Sequence, residues 1–116
     1  MNDCKPLVIK IGGAILEKAD ALSALLKVIA SLKESSEQNQ VILVHGGGCV
    51  VDDMLAQAGF ITTKKHGLRV TPKAQIGLIS GALAGTVNKS IVATANTINL
   101  NAVGLSLADG QMIHCH

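Results

Sequence analysis

The sequence predicts an α/β fold, a three-layer α/β/α sandwich with a mainly parallel sheet, and three observations support this. Two short apolar runs, at residues 7–11 and 41–44, each lead directly into glycines. Leucine and isoleucine recur at helical spacing between these runs. Short apolar strands that alternate with helices are typical of parallel sheets covered by helices on both faces.

Composition excludes several classes of protein. Of the 116 residues, 48% are hydrophobic and 16% are charged, which excludes a disordered chain. The net charge of +2 is too small to indicate nucleic acid or an anionic membrane as a partner, and Phe60 is the one aromatic residue available for base stacking. No apolar run approaches the roughly 18 residues of a membrane span, and no signal-peptide pattern is present. The three widely spaced cysteines predict reduced thiols, so we expect a cytoplasmic protein.

The first half of the chain is expected to form a β-α-β unit and a short helix. Each apolar run is short enough to be a buried strand, and the polar segment before residue 41 ends the intervening helix. Glycines after each run end the strands. The predicted elements are a strand at 7–11, a helix at 22–32, a strand at 41–44 and a short helix at 50–59.

The second half is expected to begin with a basic segment at residues 64–70, which forms either a hairpin or an excursion over the sheet edge. Thr71 and Pro72 predict a helix start, with threonine as the N-cap and proline at the first helical position, and the helix extends to about residue 96. Its three glycines weaken it or permit a close helix contact. A third core strand is predicted at 102–105, followed by a hairpin turn at Asp109-Gly110 and a return strand at 111–115. Because such a sheet has open edges, we expect the chain to be a truncated form of a longer fold.

The first candidate site is Lys10-Ile11-Gly12-Gly13. A lysine at the end of a buried strand directs its ammonium group to the carboxyl edge of the sheet, where ligands bind in open α/β folds. Gly12 and Gly13 let backbone N–H groups approach phosphate oxygens, and the following helix adds its positive end. A glycine turn with a surface lysine is the alternative.

The second candidate site is His45-Gly46-Gly47-Gly48. Three glycines between a strand and a helix can form an anion-binding nest with little obstruction by side chains. A tight strand-to-helix turn is the alternative, although two such loops at one sheet edge are less readily explained by chance. For His45 we expect hydrogen bonding to the backbone rather than a direct role on substrate.

The third candidate is Arg69, in the basic segment from residue 64 to residue 69. Its guanidinium group can hold a carboxylate through two parallel hydrogen bonds. A solvated basic edge is the alternative, and for Lys64 and Lys65 it is the preferred one.

Three further patterns are rejected. Residues 85–90 look like a P-loop, but Asn88 stands where glycine is required and the segment has a helical pattern. The glycines near residue 46 do not fit G-x-G-x-x-G, because residue 51 is valine. Residues 114–116 resemble a metal-binding tract, yet three adjacent residues cannot easily enclose an ion. We therefore expect no bound metal from the chain itself.

Nearly the whole chain resembles the amino acid kinase family, and most closely those members that phosphorylate N-acetyl-L-glutamate in arginine biosynthesis. The motifs that carry the resemblance are Lys10-x-Gly12-Gly13, His45-Gly46-Gly47-Gly48, Gly67-Leu68-Arg69-Val70-Thr71 and the helical stretch at 81–89. The resemblance implies a chain whose residues 1–116 form an N-terminal lobe that binds the amino-acid substrate, with the ATP-binding half absent. The fragment alone is then expected to be inactive.

The resemblance also implies a role for each site. Lys10 stabilises charge on the transferring phosphoryl group, and Gly12-Gly13 face the phosphates of ATP, which brings Mg²⁺ with it. Gly46-Gly47 offer N–H groups to the phosphoryl group and the acceptor carboxylate, and Arg69 holds the other carboxylate. A homodimer is implied for the full-length form. The alternatives are a non-catalytic module that binds acyl-amino acids, or a lobe for a related substrate such as an aminoadipate derivative.

Overall fold

The computed structural model describes residues 5–35 and 40–115; Cys4, the polar residues 36–39 and His116 lie outside this part of the chain. Four helical and four strand segments precede an irregular C-terminal segment that holds one short 3₁₀ turn, Asp109–Gln111. These elements are β1 (Leu7–Ile11), α1 (Gly13–Leu16), α2 (Ala19–Ser35), β2 (Val41–His45), α3 (Gly48–Gln57), β3 (Thr63–Lys65), β4 (Leu68–Val70) and one long helix (Lys73–Thr97).

The parallel sheet predicted from the sequence is confirmed. β1 and β2 pair in parallel from Leu7 with Val41 to Ile11 with His45. β3 and β4 form an antiparallel hairpin, which is one of the two forms expected for the basic segment. Because side chains alternate across a strand, one face of the β1–β2 sheet packs on the core and the other does not. On that second face Val8, Ile42 and Val44 are 58%, 50% and 44% exposed.

The main core lies between the inner face of the sheet, α2 and the second half of the long helix. Leu22, Leu26 and Ile29 follow the four- and three-residue spacing that puts side chains on one helical face, and all three are buried. They pack with Ile11 and with the long helix through Val87, Ile91 and Ala95. A second cluster joins α3 to the middle of the long helix through Val51, Leu55 and Ala82.

The long helix is one continuous element with three kinds of winding. It begins as a 3₁₀ turn at Lys73–Gln75, widens to a π-helical segment at Ala82–Val87 and continues as α-helix to Thr97. The start predicted at Thr71 and Pro72 is wrong by one residue. Pro72 is in an extended conformation with ψ 147° and occupies the N-cap position without a side-chain cap bond, because the chain leaves the hairpin in extended form.

The glycines of the long helix do not mark a close helix contact. A Cβ atom added at Gly77, Gly81 or Gly85 would meet nothing within 4 Å among the described residues. Of the two explanations offered by the sequence, close packing is therefore wrong, and the weakening of regular α-helix remains. The π-helical segment that includes Gly85 is in keeping with that weakening.

The third strand predicted at residues 102–105 does not form. Val103 and Leu105 are 85% and 55% exposed, and the structure assigns no strand there. The carbonyl oxygens of Gly104 and Leu105 accept hydrogen bonds from the side chains of Lys89 and Asn88 instead. These two carbonyl oxygens would accept hydrogen bonds from a neighbouring strand in a sheet, but here side chains of the long helix donate to them.

The final hairpin is also wrong, since residues 112–115 form no return strand. The carboxylate of Asp109 accepts hydrogen bonds from the backbone N–H and the hydroxyl of Ser106, at 2.6 and 3.0 Å. This pair closes a compact turn that leads into the 3₁₀ turn. An aspartate that accepts a hydrogen bond from a nearby backbone N–H in this way stabilises a local turn, and the turn needs no partner strand.

One expectation about membranes also changes. The long helix, with 25 residues, is the one helix in the described part of the chain that is long and apolar enough to cross a bilayer by length and composition. This helix is not a continuous apolar run, because polar residues interrupt it. A single helix of this kind does not distinguish a membrane span from an apolar helix of a globular fold. Here its residues Ile91 and Ala95 pack in the main core.

Candidate functional site

The parallel pairing of β1 and β2 brings the two predicted glycine loops to the same edge of the sheet. Because Ile11 lies opposite His45, Gly12 and Gly46 leave their strands side by side. Lys10 is paired with Val44 one position earlier, and its side chain is exposed on the outer face of the sheet. The carboxyl edge of a parallel sheet is where ligands bind in open α/β folds, and both glycine loops lie at this edge.

Space beside the glycines distinguishes their roles. A Cβ atom added at Gly12, Gly46 or Gly48 would meet nothing within 4 Å, and one at Gly13 would meet only Glu17 Oε1 at 3.9 Å. Packing among the described residues therefore does not demand glycine at these positions. The missing side chains leave room for another molecule to approach the backbone.

Gly47 is different because the fold itself requires glycine there. Its φ of 152° is rare for residues with a side chain, and it is buried. A Cβ atom would lie 2.7 Å from Val87 Cγ2 and 3.3 Å from Leu83 Cδ2. The second glycine loop thus packs directly against the π-helical segment of the long helix.

Cys49 is the second residue of α3, directly after the second loop, and its thiol lies beside the carboxylate of Glu17, the residue after α1. A hydrogen bond to Glu17 and its negative charge, reinforced by slight desolvation and by Asp52 and Asp53, raise the pKa of Cys49. A raised pKa keeps the thiol protonated, and the thiolate is the reactive form. Cys49, like Cys115, is a free, exposed thiol.

Arg69 lies in β4 and reaches back to the second glycine loop. Its side chain is 17% exposed, with Nη2 2.6 Å from Asp52 Oδ1 of α3. The same nitrogen lies 3.4 Å from the carbonyl oxygen of Gly48, and Nη1 lies 3.5 Å from Thr62 Oγ1. Lys64 adds a longer ion pair to Asp52 at 3.6 Å. Arg69 is therefore an organised residue between hairpin and loop, not part of a fully solvated edge.

Asp52 was missed by the sequence analysis. The hydrogen bond from Arg69, together with the positive charges of Arg69 and Lys64 and a bond from Thr62, lowers the pKa of Asp52 despite a small opposing effect of burial. The available signal was an acidic residue one helical turn after Gly48, facing a predicted basic segment. That signal does not identify which of Asp52 and Asp53 faces the hairpin.

His45 and Asn88 form a second polar group, which joins the end of β2 to the long helix. The imidazole contacts the carbonyl oxygen of Gly46 through Nδ1 at 2.8 Å and Asn88 Nδ2 through Nε2 at 3.1 Å. The expected backbone hydrogen bond of His45 is confirmed. Asn88 is only 8% exposed. In the sequence it belongs to the helical stretch at 81–89 and disqualifies a P-loop, but no role of its own was predicted. The rejection of the P-loop is confirmed by the position of Asn88 inside a helix.

Gly104 completes this polar group and was also missed. A Cβ atom there would overlap Asn88 Oδ1 and lie 2.9 Å from Lys89 Nζ. Lys89 itself donates to the carbonyl oxygen of Gly104 at 2.9 Å and to Asn88 Oδ1 at 3.2 Å. The glycine lets the C-terminal segment lie directly on the long helix.

A groove of about 860 Å³ runs along the free edge of β2, beside this polar group. Its walls are β2, the facing sides of α2 and the long helix, and residues 100–108. Most of the lining is aliphatic, including Val44, Val92 and Leu105. Residues 102–105, predicted as the third strand, line this groove and form no ladder with β2.

No group of three or more histidine, cysteine, aspartate or glutamate side chains in residues 5–35 and 40–115 is arranged to hold a metal ion. Of the tract at 114–116, His114 and Cys115 are among these residues, whereas His116 lies outside the described part of the chain.

The fold and the paired glycine loops place the chain in a known family. The sequence profile of the amino acid kinase family matches residues 5–116, so the chain belongs to the amino acid kinase family. It is 76% identical over 111 residues to the acetylglutamate kinase of Colwellia psychrerythraea (strain 34H / ATCC BAA-681), and 52% identical over 108 residues to that of Aliivibrio fischeri (strain MJ11). These alignments cover 96% and 93% of this chain and 41% of each relative.

A solved structure supports the same fold. The crystal structure of smu.665 from Streptococcus mutans UA159 superposes with a TM-score of 0.74 at 30% sequence identity, over 86% of this chain and 39% of the other. The chain thus spans about 41% of the length of the curated relatives it matches.

Proposed function

We propose that this chain is the substrate-binding lobe of an enzyme that transfers a phosphoryl group from ATP to the side-chain carboxylate of N-acetyl-L-glutamate, a step of arginine biosynthesis. The observation that carries the proposal is the pairing of Ile11 with His45, which sets two open glycine loops side by side at the carboxyl edge of the sheet. The Colwellia and Aliivibrio relatives are named acetylglutamate kinases, which supports the choice of substrate. We place the reaction in the cytoplasm.

Each site residue has a role in this reaction. Gly12-Gly13 face the phosphates of ATP, whose Mg²⁺ is bound through the nucleotide, and Lys10 meets charge that develops on the transferring group. Gly46-Gly47 supply backbone N–H groups to the phosphoryl group and the acceptor carboxylate. Such a site acts mainly by positioning and by neutralising charge, as phosphoryl transfer requires.

Arg69 is assigned to the carboxylate of N-acetyl-L-glutamate that does not react. A guanidinium group has five N–H donors, and the contacts to Asp52, Gly48 and Thr62 use three of them. In this proposal the remaining donors meet the substrate, while Asp52 holds the guanidinium group against the second loop. A fixed guanidinium group loses less conformational entropy on binding than a mobile one.

The test is a chimera in which this chain replaces the matched 41% of the Colwellia relative. We expect the chimera to form ADP and an acyl phosphate, trapped as a hydroxamate, when N-acetyl-L-glutamate is present, and to purify as a homodimer. N-acetyl-L-aminoadipate serves as the competing substrate. Faster turnover of the aminoadipate derivative would assign the lobe to that substrate. A folded chimera that binds N-acetyl-L-glutamate without turnover would identify a binding module instead.

A further inference from the structure

A chain of hydrogen bonds connects the second glycine loop to the interior of the long helix. It begins at the carbonyl oxygen of Gly46, passes through His45 and reaches Asn88. Asn88 makes two further contacts, one from Nδ2 to the carbonyl oxygen of Leu105 at 3.3 Å and one from Lys89 Nζ to Oδ1 at 3.2 Å. No polar side-chain atom in the described residues is left both buried and unbonded.

The partners of Asn88 determine which way its amide faces. A lysine ammonium group can only donate, so the atom facing Lys89 is the oxygen. A carbonyl oxygen can only accept, so the atom facing Leu105 is the nitrogen. Reversing the amide would set a donor against Lys89 and an acceptor against Leu105, and both of these partly buried hydrogen bonds would be lost.

This orientation in turn determines the protonation of His45. Asn88 presents an N–H donor to Nε2, so Nε2 must accept and carries no proton. The carbonyl oxygen of Gly46 requires a donor, so Nδ1 carries the proton. The network therefore selects the neutral imidazole protonated at Nδ1.

The imidazole then determines the orientation of one peptide group in the loop. His45 holds the carbonyl oxygen of Gly46, and the N–H of Gly47 belongs to the same planar trans peptide. The C=O and N–H of such a peptide point in opposite directions. Holding the oxygen thus aims the Gly47 N–H, one of the donors assigned to the acceptor carboxylate or phosphoryl group.

We propose that Asn88 is a positioning residue, which acts through the tautomer of His45 to aim the Gly46–Gly47 peptide at the substrate. The inference deepens the proposed function and rests on it for the identity of the ligand. The hydrogen-bond network and its effect on the loop do not depend on that identity.

The first experiment observes the imidazole and the loop directly, in the 116-residue chain without any ligand. Nitrogen-15 NMR at about pH 8, where histidine is ordinarily neutral, distinguishes the protonated from the unprotonated ring nitrogen. We expect Nδ1 to be protonated. Asn88→Asp, which places a carboxylate oxygen beside Nε2, should transfer the proton to Nε2 and move the Gly47 amide resonance. Asn96→Asp, on the exposed side of the same helix, should change neither.

A second variant separates positioning from general damage. His45→Asn places a donating amide nitrogen near the position of Nδ1 and has no atom near Nε2. The asparagine can hold the Gly46 carbonyl oxygen without help from Asn88. We therefore expect the Gly47 resonance of His45→Asn to lie near that of the original chain, and adding Asn88→Asp to move it little.

The chimera supplies the functional measurement. Asn88→Asp should lower kcat/KM for N-acetyl-L-glutamate about 10- to 100-fold, as expected for a misdirected donor, while Asn96→Asp leaves it unchanged. The proposal is overturned if His45 is protonated at Nε2 in the original chain, if Asn88→Asp leaves the Gly47 resonance in place, or if an active chimera keeps its kcat/KM. An inactive parent chimera would defeat the proposed function, and the NMR results would still decide the role of Asn88.

Discussion

Gly47 and Gly46 are neighbours with opposite tolerance of a side chain. At Gly47 an added methyl group meets Val87 at 2.7 Å on a backbone with φ 152°, whereas at Gly46 it meets nothing within 4 Å. Adjacent glycines of one motif therefore serve two purposes. Gly47 permits close packing of the loop on the long helix, and Gly46 leaves the sheet edge open.

This difference predicts opposite effects of two alanine substitutions. Gly47→Ala should reduce the free energy of unfolding by about 2–4 kcal/mol, from overpacking and backbone strain together. Gly46→Ala should change it by no more than about 1 kcal/mol, because the added methyl group meets no neighbour. Urea denaturation of the 116-residue chain measures both. Equal midpoints for the two variants would show that the loop does not pack on Val87 as described.

Lys10 is predicted to act on the transition state more than on substrate binding. In the chimera, Lys10→Ala should lower kcat about 100-fold or more and raise the KM for N-acetyl-L-glutamate much less, because the charge it meets develops during transfer. Lys5→Ala, before the first strand, controls for the loss of one positive charge. A Lys10→Ala chimera with normal kcat would remove Lys10 from the mechanism.

Arg69 is predicted to discriminate between the two ligands. Arg69→Lys keeps the charge and loses the planar group that matches a carboxylate. We expect N-acetyl-L-glutamate to bind the chimera about 10- to 100-fold more weakly, which corresponds to about 1.5–3 kcal/mol for a charge-assisted hydrogen bond. ATP binding should be nearly unchanged. Calorimetry separates the ligands, with Lys65→Ala on the same hairpin as the control, and normal N-acetyl-L-glutamate affinity in Arg69→Lys would contradict the assignment.

At the scale of elements, the hairpin and α3 are held together by a compact ionic group. β3 and β4 have three residues each, and an isolated hairpin of this size is marginal in water. The carboxylate of Asp52 forms ion pairs with Lys64 of β3 and Arg69 of β4. It also accepts a hydrogen bond from Thr62, which precedes β3. We infer that this group, rather than the ladder alone, keeps the hairpin beside the second glycine loop.

The lowered pKa of Asp52 gives that inference a pH dependence with a definite sign. A carboxyl group whose pKa is lower in the folded than in the unfolded chain stabilises the fold above its ordinary pKa of 3.8. That stabilisation is lost as the pH falls through the folded value. The Asp52→Asn variant should therefore have a lower free energy of unfolding than the original chain at neutral pH. The difference in free energy should become smaller as the pH falls below the ordinary pKa of 3.8.

The test is urea denaturation of the original chain and of Asp52→Asn at two pH values. One is neutral, and the other is about pH 3, near the lower end of the range of carboxyl pKa values. Asp53→Asn, on the exposed side of α3, controls for removal of a negative charge. A difference between Asp52→Asn and the original chain that stays constant with pH would mean that the ion pair with Arg69 does not form in solution.

The long helix is the element that unites the molecule. Its π-helical segment supplies Ala82 to the second core cluster and Val87 to the first, and the next residue, Asn88, enters the polar network. One helix thus contacts both cores, the second glycine loop and the C-terminal segment. Any change in its winding between Ala82 and Asn88 would alter all four contacts together.

At the scale of the whole molecule, one sheet face and one sheet edge carry much exposed apolar surface. Val8 and Ile42 on the outer face are half exposed or more, and Val103 and Leu107 beside the groove are 85% and 68% exposed. The relatives have further polypeptide for which this chain has no counterpart, since only 41% of their length is matched. In the proposed function, that unmatched part supplies the ATP-binding half.

We therefore predict that the 116-residue chain alone forms no ADP in response to N-acetyl-L-glutamate. Loss of one preorganised charge contact commonly costs about 100- to 1000-fold in rate, and in the proposed function several such contacts come from the part of the relatives that this chain does not match. A coupled ADP assay, with the chimera at the same concentration as the positive control, makes the measurement. Steady ADP formation that depends on N-acetyl-L-glutamate would place a complete active site within these residues.

Local patterns were sufficient for much of this fold. Apolar runs predicted β1 and most of β2, helical spacing predicted α2 and α3, and the glycine clusters located both loops. Parallel pairing followed from the order of these elements, and with it the meeting of the two loops at one edge. These features depend on residues close in sequence, whose periodicity and backbone preferences can be recognised without any partner.

Contacts between distant residues were beyond such patterns. Asp52 and Arg69 are 17 positions apart and His45 and Asn88 are 43 apart, and nothing in their local sequence specifies either pair. The apolar segment at 102–105 satisfies a strand pattern, yet Lys89 and Asn88 take its carbonyl oxygens and no ladder forms. Periodicity determines which face of an element is apolar. The tertiary structure then decides which polar groups come close to one another when these apolar faces pack. A buried donor or acceptor forms a hydrogen bond with the partner that packing brings within reach.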